Sequence, residues 1–370
     1  VLLTLVVVAL VVNANTEVAV MTGEPSGGDG QAKPKATRQQ FEALATIDHK
    51  APITLPWVKA AGVHITLPSY LKYDENELTG VIDQHACASC WSIATTGMLA
   101  DRISVYTNGS IKEELSNQEM ISCWDGHRGE GCSVGGVPEM AYTYLINEGV
   151  SLEKDYPYEQ QSTNKIPACD SAKKSGRRVF AERGSDVSLC KDPYQYEEGS
   201  ERYDSTVRAN VENMKRELYL HGPVVGTMMV YDGAYDYDGM SVYTGPKSGE
   251  KFVGGHALTV IGFCEEGVNG DEPGFEQAYW ICKQSWGKEY PAKTPAAKGY
   301  MYIKMGVNCV GIESRASACL PVITPEISAN MAESLDQSRF LSYDEYRRSA
   351  TKTNFITKTT KLRRAYDRLT

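Results

Sequence analysis

The 370-residue chain is short of positive charge: 38 Lys and Arg stand against 47 Asp and Glu, a net charge of −9. That balance argues against nucleic acid as a main partner, because phosphate backbones are held by clusters of basic side chains. Histidine is scarce, at six residues. A zinc site would need further paired Cys or His ligands at regular spacing, and "ISCW" and "GCSVGG" do not supply them, so neither metal nor cofactor is expected. After the first twelve residues no run is long and apolar enough for a transmembrane helix.

That leading run, "VLLTLVVVALVV", is followed by the small polar segment "NANT". It is too short to span a bilayer comfortably and fits the core of a secretory signal peptide, placed at residues 1–20. With the signal removed, no stable membrane span is expected. Ten cysteines in a chain with such a leader point to disulfides. The tripeptide "NGS" at Asn108 is a glycosylation acceptor that suits the same compartment.

Residues 21–66 read as a linker followed by a short prosegment, with "TGEPSGGDGQAKPKAT" as the loose part. The folded unit is expected over residues 67–322, starting at Leu67-Pro68. Residues 323–370 form a basic extension, with nine Lys or Arg against three Asp or Glu from Ser338 onward, best read as solvated. Within the folded unit a helix starts at Cys90, with Ile93, Met98, Leu99 and Ile103 apolar and Asp101 and Arg102 toward solvent. Further helices are expected at Asn117 to Ile121 and Val137 to Glu148. Cys169 to Asp204 is polar and poor in pattern, as in an extended surface insertion. Val207, Val211, Met214 and Leu218 then share a helical face, which "HGP" ends. Beyond it, "VVGTMMV", "HALTVIGF", "AYWICKQSW" and "GYMYIKM" read as strands. A helical half followed by a strand-rich half predicts an α+β unit of two packed subdomains.

The stretch "DQHACASCWSIATTGMLADR" carries the chemistry. Cys90 opens the predicted helix, where exposed N–H groups favour a thiolate, so it is the candidate nucleophile. Gln84 is placed to offer its amide to an oxyanion beside the Cys90 N–H, and Cys87 becomes a structural half-cystine. A base is required, and His256 in "GGHA" heads a β-rich segment. In "YWICKQSWG", Gln284 is positioned to orient the imidazole and Trp286 to shield that bond from water.

These motifs, with "GCSVGG", "YPYE" and "CVGIES" in the same order, give the region a close resemblance to the papain family of cysteine proteases, in the cathepsin B, C and X branch. "CASCW" matches the family signature C-G-[SA]-C-[WY] with Ala88 in place of Gly. Through "GMLADRISVYTNGS" and "MKRELYLHGPVV" the chain is most similar to cathepsin C, or dipeptidyl peptidase I. The resemblance implies a papain-like two-subdomain fold, with a helical left domain, a β-barrel-like right domain and the active-site cleft between them. It implies a cysteine peptidase made as a zymogen, working through a thiolate–imidazolium pair and an acyl-enzyme in lysosomal or extracellular proteolysis. Peptide or protein substrates and cystatin-like inhibitors are the implied partners.

The roles it implies are Cys90 as nucleophile, His256 as general acid/base, Gln84 as oxyanion donor and Gln284 as orienting residue. Gly135 and Gly136 would bind an extended substrate backbone. Arg315 would lie in the floor of the second specificity pocket, where it would favour an acidic substrate side chain. The implied disulfides are Cys87–Cys132 and Cys123–Cys169, leaving Cys190, Cys264, Cys282, Cys309 and Cys319 unassigned, with at least one further thiol free. Two departures stand out: Gln284 where the family has Asn, and His85 and Ala88 at small Gly positions near the cleft; a third is expected ahead of Leu67, where the 66 residues present are short for the large N-terminal exclusion domain of cathepsin C. The alternatives are a dipeptidyl exopeptidase and, in another class, a catalytically impaired papain-fold binding protein.

Overall fold

The computed structural model describes residues 67–124, 132, 135–160, 165–268, 276–291 and 298–330. The signal-like segment, the linker and prosegment, and most of the basic extension lie outside them. The helical part comprises α1 (Cys90–Tyr106), α2 (Asn117–Cys123) and α3 (Pro138–Asn147). The longest helix, α4 (Glu201–His221), follows. The chain closes its described part with α5 (Pro325–Asn330). The sheet is built from β1 (Tyr70–Lys72), β4 (Val187–Ser188), β5 (Val224–Tyr231), β6 (Phe252–Cys264), β7 (Tyr279–Lys283), β8 (Tyr300–Lys304) and β9 (Ala316–Ala318). A separate pair joins β2 (Val150–Ser151) to β3 (Arg178–Val179).

The strands run β4-β9-β5-β6-β7-β8, with β1 added on β6, and every named pairing is antiparallel. Among the described residues the strand path does not close into a complete barrel, and a helical part beside this strand-rich sheet is the two-part α+β arrangement expected. The outer edge of β8 is taken instead by Tyr243, whose N–H donates to Tyr302 O at 2.7 Å and whose carbonyl accepts from Lys304 N at 3.0 Å. Strand β6 can serve β1, β5 and β7 because it is 13 residues long. Its Gly262 permits β1 to close in: a Cβ there would lie 2.2 Å from Leu71 O.

Helix α1 is apolar or small almost all round, so it runs through the core rather than over it. Asp101 and Arg102, expected toward solvent, are both fully buried. Each is paired, as a charge at such depth must be. Asp101 accepts from Lys283 Nζ of β7 at 2.5 Å and from Thr79 N and Oγ1 at 2.8 and 2.6 Å. Arg102 donates to Glu217 Oε1 of α4 at 2.8 Å, and to Pro223 O and Cys319 O. One helix is therefore fastened by ion pairs both to the sheet and to α4.

The segment from Cys169 to Asp204 is also no surface insertion. Within it β3 pairs with β2 and β4 pairs with β9, Leu189 and Cys190 are buried, and α4 already starts at Glu201. Its apolar residues come in short groups such as Val179-Phe180-Ala181 and Leu189-Cys190 among charges, so two-residue strands use them without leaving a periodic pattern. Ser200 caps α4 by accepting from Tyr203 N, and Gly222, at φ 96°, ends it by donating to Leu218 O. Disulfides join Cys87 to Cys132 and Cys123 to Cys169. Cys190, Cys264, Cys282, Cys309 and Cys319 are buried thiols outside these disulfides. Asn108 is exposed just after α1, at φ 50°. No helix among the described residues is long and apolar enough to cross a membrane.

Candidate active site

Ser89 precedes α1 without capping it through its side chain, so the first-turn N–H groups at Cys90 and Trp91 are free to face the Cys90 sulfur. The Ala257 N–H, reaching from β6, faces the same sulfur. Burial pushes the thiol up, and these three N–H groups work against that by favouring the anion. Cys90 keeps some surface exposure, unlike the other free cysteines.

His256 neighbours Ala257 on β6 and pairs with Met228 of β5. Its Nε2 lies 2.8 Å from Gln284 Oε1. With the amide oxygen accepting, Nε2 carries the proton, and Nδ1, buried without a hydrogen-bond partner, is the free base. Burial lowers the imidazole pKa to about 4, opposed in part by the bond to Gln284. Charging either Cys90 or His256 alone is thus disfavoured, whereas proton transfer from sulfur to imidazole makes two charges that stabilise each other.

Gln284 follows β7 directly, and its N–H donates to Gly299 O at 2.8 Å. The extra methylene relative to Asn is accommodated: Nε2 rests against Met301 Sδ at 3.4 Å while Oε1 still reaches the imidazole. Trp286 stacks over His256 with ring centroids 4.6 Å apart and is itself walled by Tyr235 and Tyr290. Replacing Gln284 with Asn withdraws the amide by about 1.5 Å, and displacements near 1 Å at such sites are costly. We expect kcat/KM to fall about 10- to 100-fold in steady-state assays. A gain would mean that the backbone is already set for Asn.

Gln84 is held at both ends of its amide: Nε2 donates to Cys87 O at 3.0 Å and Oε1 accepts from Ser285 Oγ at 2.6 Å. One amide hydrogen remains for an incoming oxyanion. Ser285 and Tyr158 were not singled out in the sequence, although "SWG" and "YPYE" contain them. The Tyr158 hydroxyl donates to Gln84 O at 2.9 Å and shares a 2.7 Å bond with Ser89 Oγ, so one group grips both ends of the loop before Cys90. Tyr158→Phe should lower kcat about tenfold with little change in KM or in thermal stability. Unchanged kcat would deny that grip any role.

Gly136 lies against the Trp91 ring, where a Cβ would come within 2.6 Å, and Gly135, at φ 69°, packs on Ala88. His85 sits in the left-handed region at φ 50°, with its ring nitrogen 3.5 Å from Asp83. Arg315 does not present a free cation. Its Nε and Nη2 meet the two Glu139 oxygens at 2.9 and 3.3 Å, so the fork expected to attract an acidic substrate side chain is already occupied.

Comparison with known proteins gives these contacts a context. The family described as "Papain family cysteine protease" matches residues 67–320. The chain is 29% identical over 267 residues to a gut-specific cysteine proteinase of Caenorhabditis elegans, covering 70% of this chain and 74% of that protein. It is also 29% identical to cathepsin B-like cysteine proteinase 5 of the same organism over 262 residues, 66% of this chain and 70% of the relative. Among solved structures, proCathepsin B S9 from Trypanosoma congolense superposes with a TM-score of 0.53 at 21% identity, over 78% of this chain and 99% of that one. At that identity the superposition speaks for the fold alone.

Proposed function

The chain belongs to the papain family of cysteine proteases and is a cysteine peptidase with cathepsin B-like relatives, and from that premise we propose a residue-level mechanism. His256 Nδ1 takes the Cys90 proton, and the thiolate attacks the scissile carbonyl carbon. The Cys90 N–H and the Gln84 amide hold the resulting oxyanion. The imidazolium then gives its proton to the departing amine, leaving an acyl-enzyme at sulfur. Water, deprotonated by His256, releases the carboxylate and restores the thiol. Gln284 keeps the imidazole in the required tautomer, and Trp286 excludes water from their bond. The observation that carries this reading is the Cys90 sulfur lying under the Ala257 N–H while the neighbouring imidazole rests on Gln284.

Gly135 and Gly136 are proposed to line the substrate backbone, and Asn108 to carry glycan. The likeness to cathepsin C supports removal of dipeptides from a free amino terminus, and an endopeptidase is the competing mode. A lysosome-like or extracellular setting, with cystatin-like inhibitors, follows from the leader-like segment and the family. Residues 67–322 would be the processed enzyme.

The test is active-site titration of processed protein with an epoxide-type thiol-protease inactivator, followed by mass mapping. Stoichiometric modification confined to Cys90 is expected. A folded sample unmodified at Cys90 would refute the mechanism. Peptides with blocked and free amino termini then separate the two modes: hydrolysis confined to free termini supports dipeptide removal.

A further inference from the structure

The oxygen of the Gln284 amide serves His256, and its nitrogen has a separate pair of partners. Among the described residues these are two thioether sulfurs, Met301 Sδ at 3.4 Å and Met228 Sδ at 3.9 Å. Both methionines are fully buried, and so is Gln284. The strand order brings the four side chains together. His256 lies on β6 and Gln284 directly follows β7, while Met228 comes from β5 and Met301 from β8, the strands on either side. Met228 stands opposite His256 in the β5–β6 register. Met301 Sδ is also reached by the Tyr290 hydroxyl at 3.6 Å, and the Tyr290 ring meets Trp286 edge-on.

A thioether sulfur accepts hydrogen bonds weakly and has none to donate. A carboxamide turned end for end keeps nearly the same shape, so its partners decide which end faces which way. Turned over, the Gln284 oxygen would face two sulfurs with no proton to offer, a buried acceptor left unsatisfied. The amide N–H would then point at His256 Nε2, which could only accept, and the imidazole proton would move to Nδ1. That nitrogen must be bare to take the Cys90 proton. A hydroxyl or an amide in place of either methionine could donate as well as accept, and would not discriminate.

We infer that Met228 and Met301 are positioning residues of the peptidase: their acceptor-only sulfurs fix the orientation of the Gln284 amide, and through it the tautomer in which His256 Nδ1 is the base. This rests on the proposed mechanism and deepens it.

The test compares processed protein grown on methionine, selenomethionine and norleucine, three side chains of nearly one shape that differ at the acceptor atom. Selenium accepts as sulfur does, so the selenomethionine protein should keep its kcat. Norleucine places a methylene there, and kcat should fall about tenfold with KM little changed, the scale of a buried hydrogen bond left unmade. Met228→Leu with Met301→Leu, a volume-conserving double variant, should show the same loss, and norleucine should lower it no further. If the double variant folds poorly, the norleucine protein carries the comparison. Met214→Leu removes a fully buried methionine of α4 and should leave kcat unchanged. The tautomer is read from the imidazole nitrogen chemical shifts of His256 in Cys90→Ala protein, assigned by their loss when His256→Ala is added. The proton should sit on Nε2 while the sulfurs are present and be shared with Nδ1 once they are gone. A normal titre at Cys90 with kcat unmoved by norleucine or the double variant, or lowered while the proton stays on Nε2, overturns the role of the methionines alone. Absence of a titre at Cys90 in the unaltered enzyme overturns the underlying mechanism, and that role with it.

Discussion

Replacing His256 with alanine is expected to lower kcat/KM for peptide hydrolysis by about 10³-fold or more, with Cys90 becoming unreactive toward the inactivator. A positioned general base contributes about 10²- to 10⁴-fold, and here the same group also makes the thiolate. The loss should be in the chemical step, because no bond from His256 to substrate is needed in the ground state. Gln284 loses its imidazole partner and Trp286 its stacked ring, so melting temperature must be followed in parallel. Activity lost with an unchanged melting curve supports the assignment, whereas retained inactivation of Cys90 would sink it. The acid dependence carries a further sign. With its folded pKa lowered to about 4 from 6.5, buried His256 binds fewer protons than it does in the unfolded chain. Its contribution to stability therefore declines as pH falls from 6.5 to 4. The alanine variant should lack that decline in denaturation curves measured across this range.

Arg102→Leu should cost about 3–5 kcal/mol and threaten folding itself, because it leaves a buried carboxylate without its guanidinium partner. Glu217 is 1% exposed; its other oxygen lies 3.0 Å from His221 Nδ1. The substitution also strands Pro223 O and Cys319 O, which accept from the guanidinium. Burial alone would raise the Glu217 pKa, but His221 and Arg102 together outweigh it and bring the group down to about 2. The stabilisation is thus fully present above pH 4.5 and lost as pH falls from there toward 2. Urea unfolding at pH 5 should show the unaltered protein retaining this increment and the variant lacking it. An Arg102→Leu protein as stable as the original would show that apolar packing replaces the pair.

What could be read from the sequence was the part that chemistry holds fixed. A nucleophile at a helix start, an amide before it and an imidazole on a later strand each need a particular residue type in a short local frame. Cys90, Gln84 and His256 could therefore be proposed for these roles from their neighbours, while the helix face of Val207, Val211, Met214 and Leu218 is buried in α4 as expected. Partnerships across the fold left no such trace. Asp101 and Arg102 look solvent-bound in one helix because the Lys283 and Glu217 that bury them are 182 and 115 residues away. Arg315 reads as a lone cation because Glu139 lies 176 residues earlier. The open edge of the sheet was equally hidden, since Tyr243 belongs to no strand and meets β8 through a single isolated bridge.

The Asp101–Lys283 bond has a consequence for anyone who recombines this chain with a relative. Asp101 lies eleven residues along the helix that starts at Cys90, and Lys283 immediately precedes Gln284. A chimera joined between the helical and strand-rich portions would take Cys90 from one parent and Gln284 from the other. Such a hybrid inherits a matched interior only if Thr79, Asp101 and Lys283 travel as a set, since Lys283 Nζ also donates to Thr79 O and Oγ1. Where the parents differ at any of the three, the useful crossover points therefore lie outside the interval from Thr79 to Lys283.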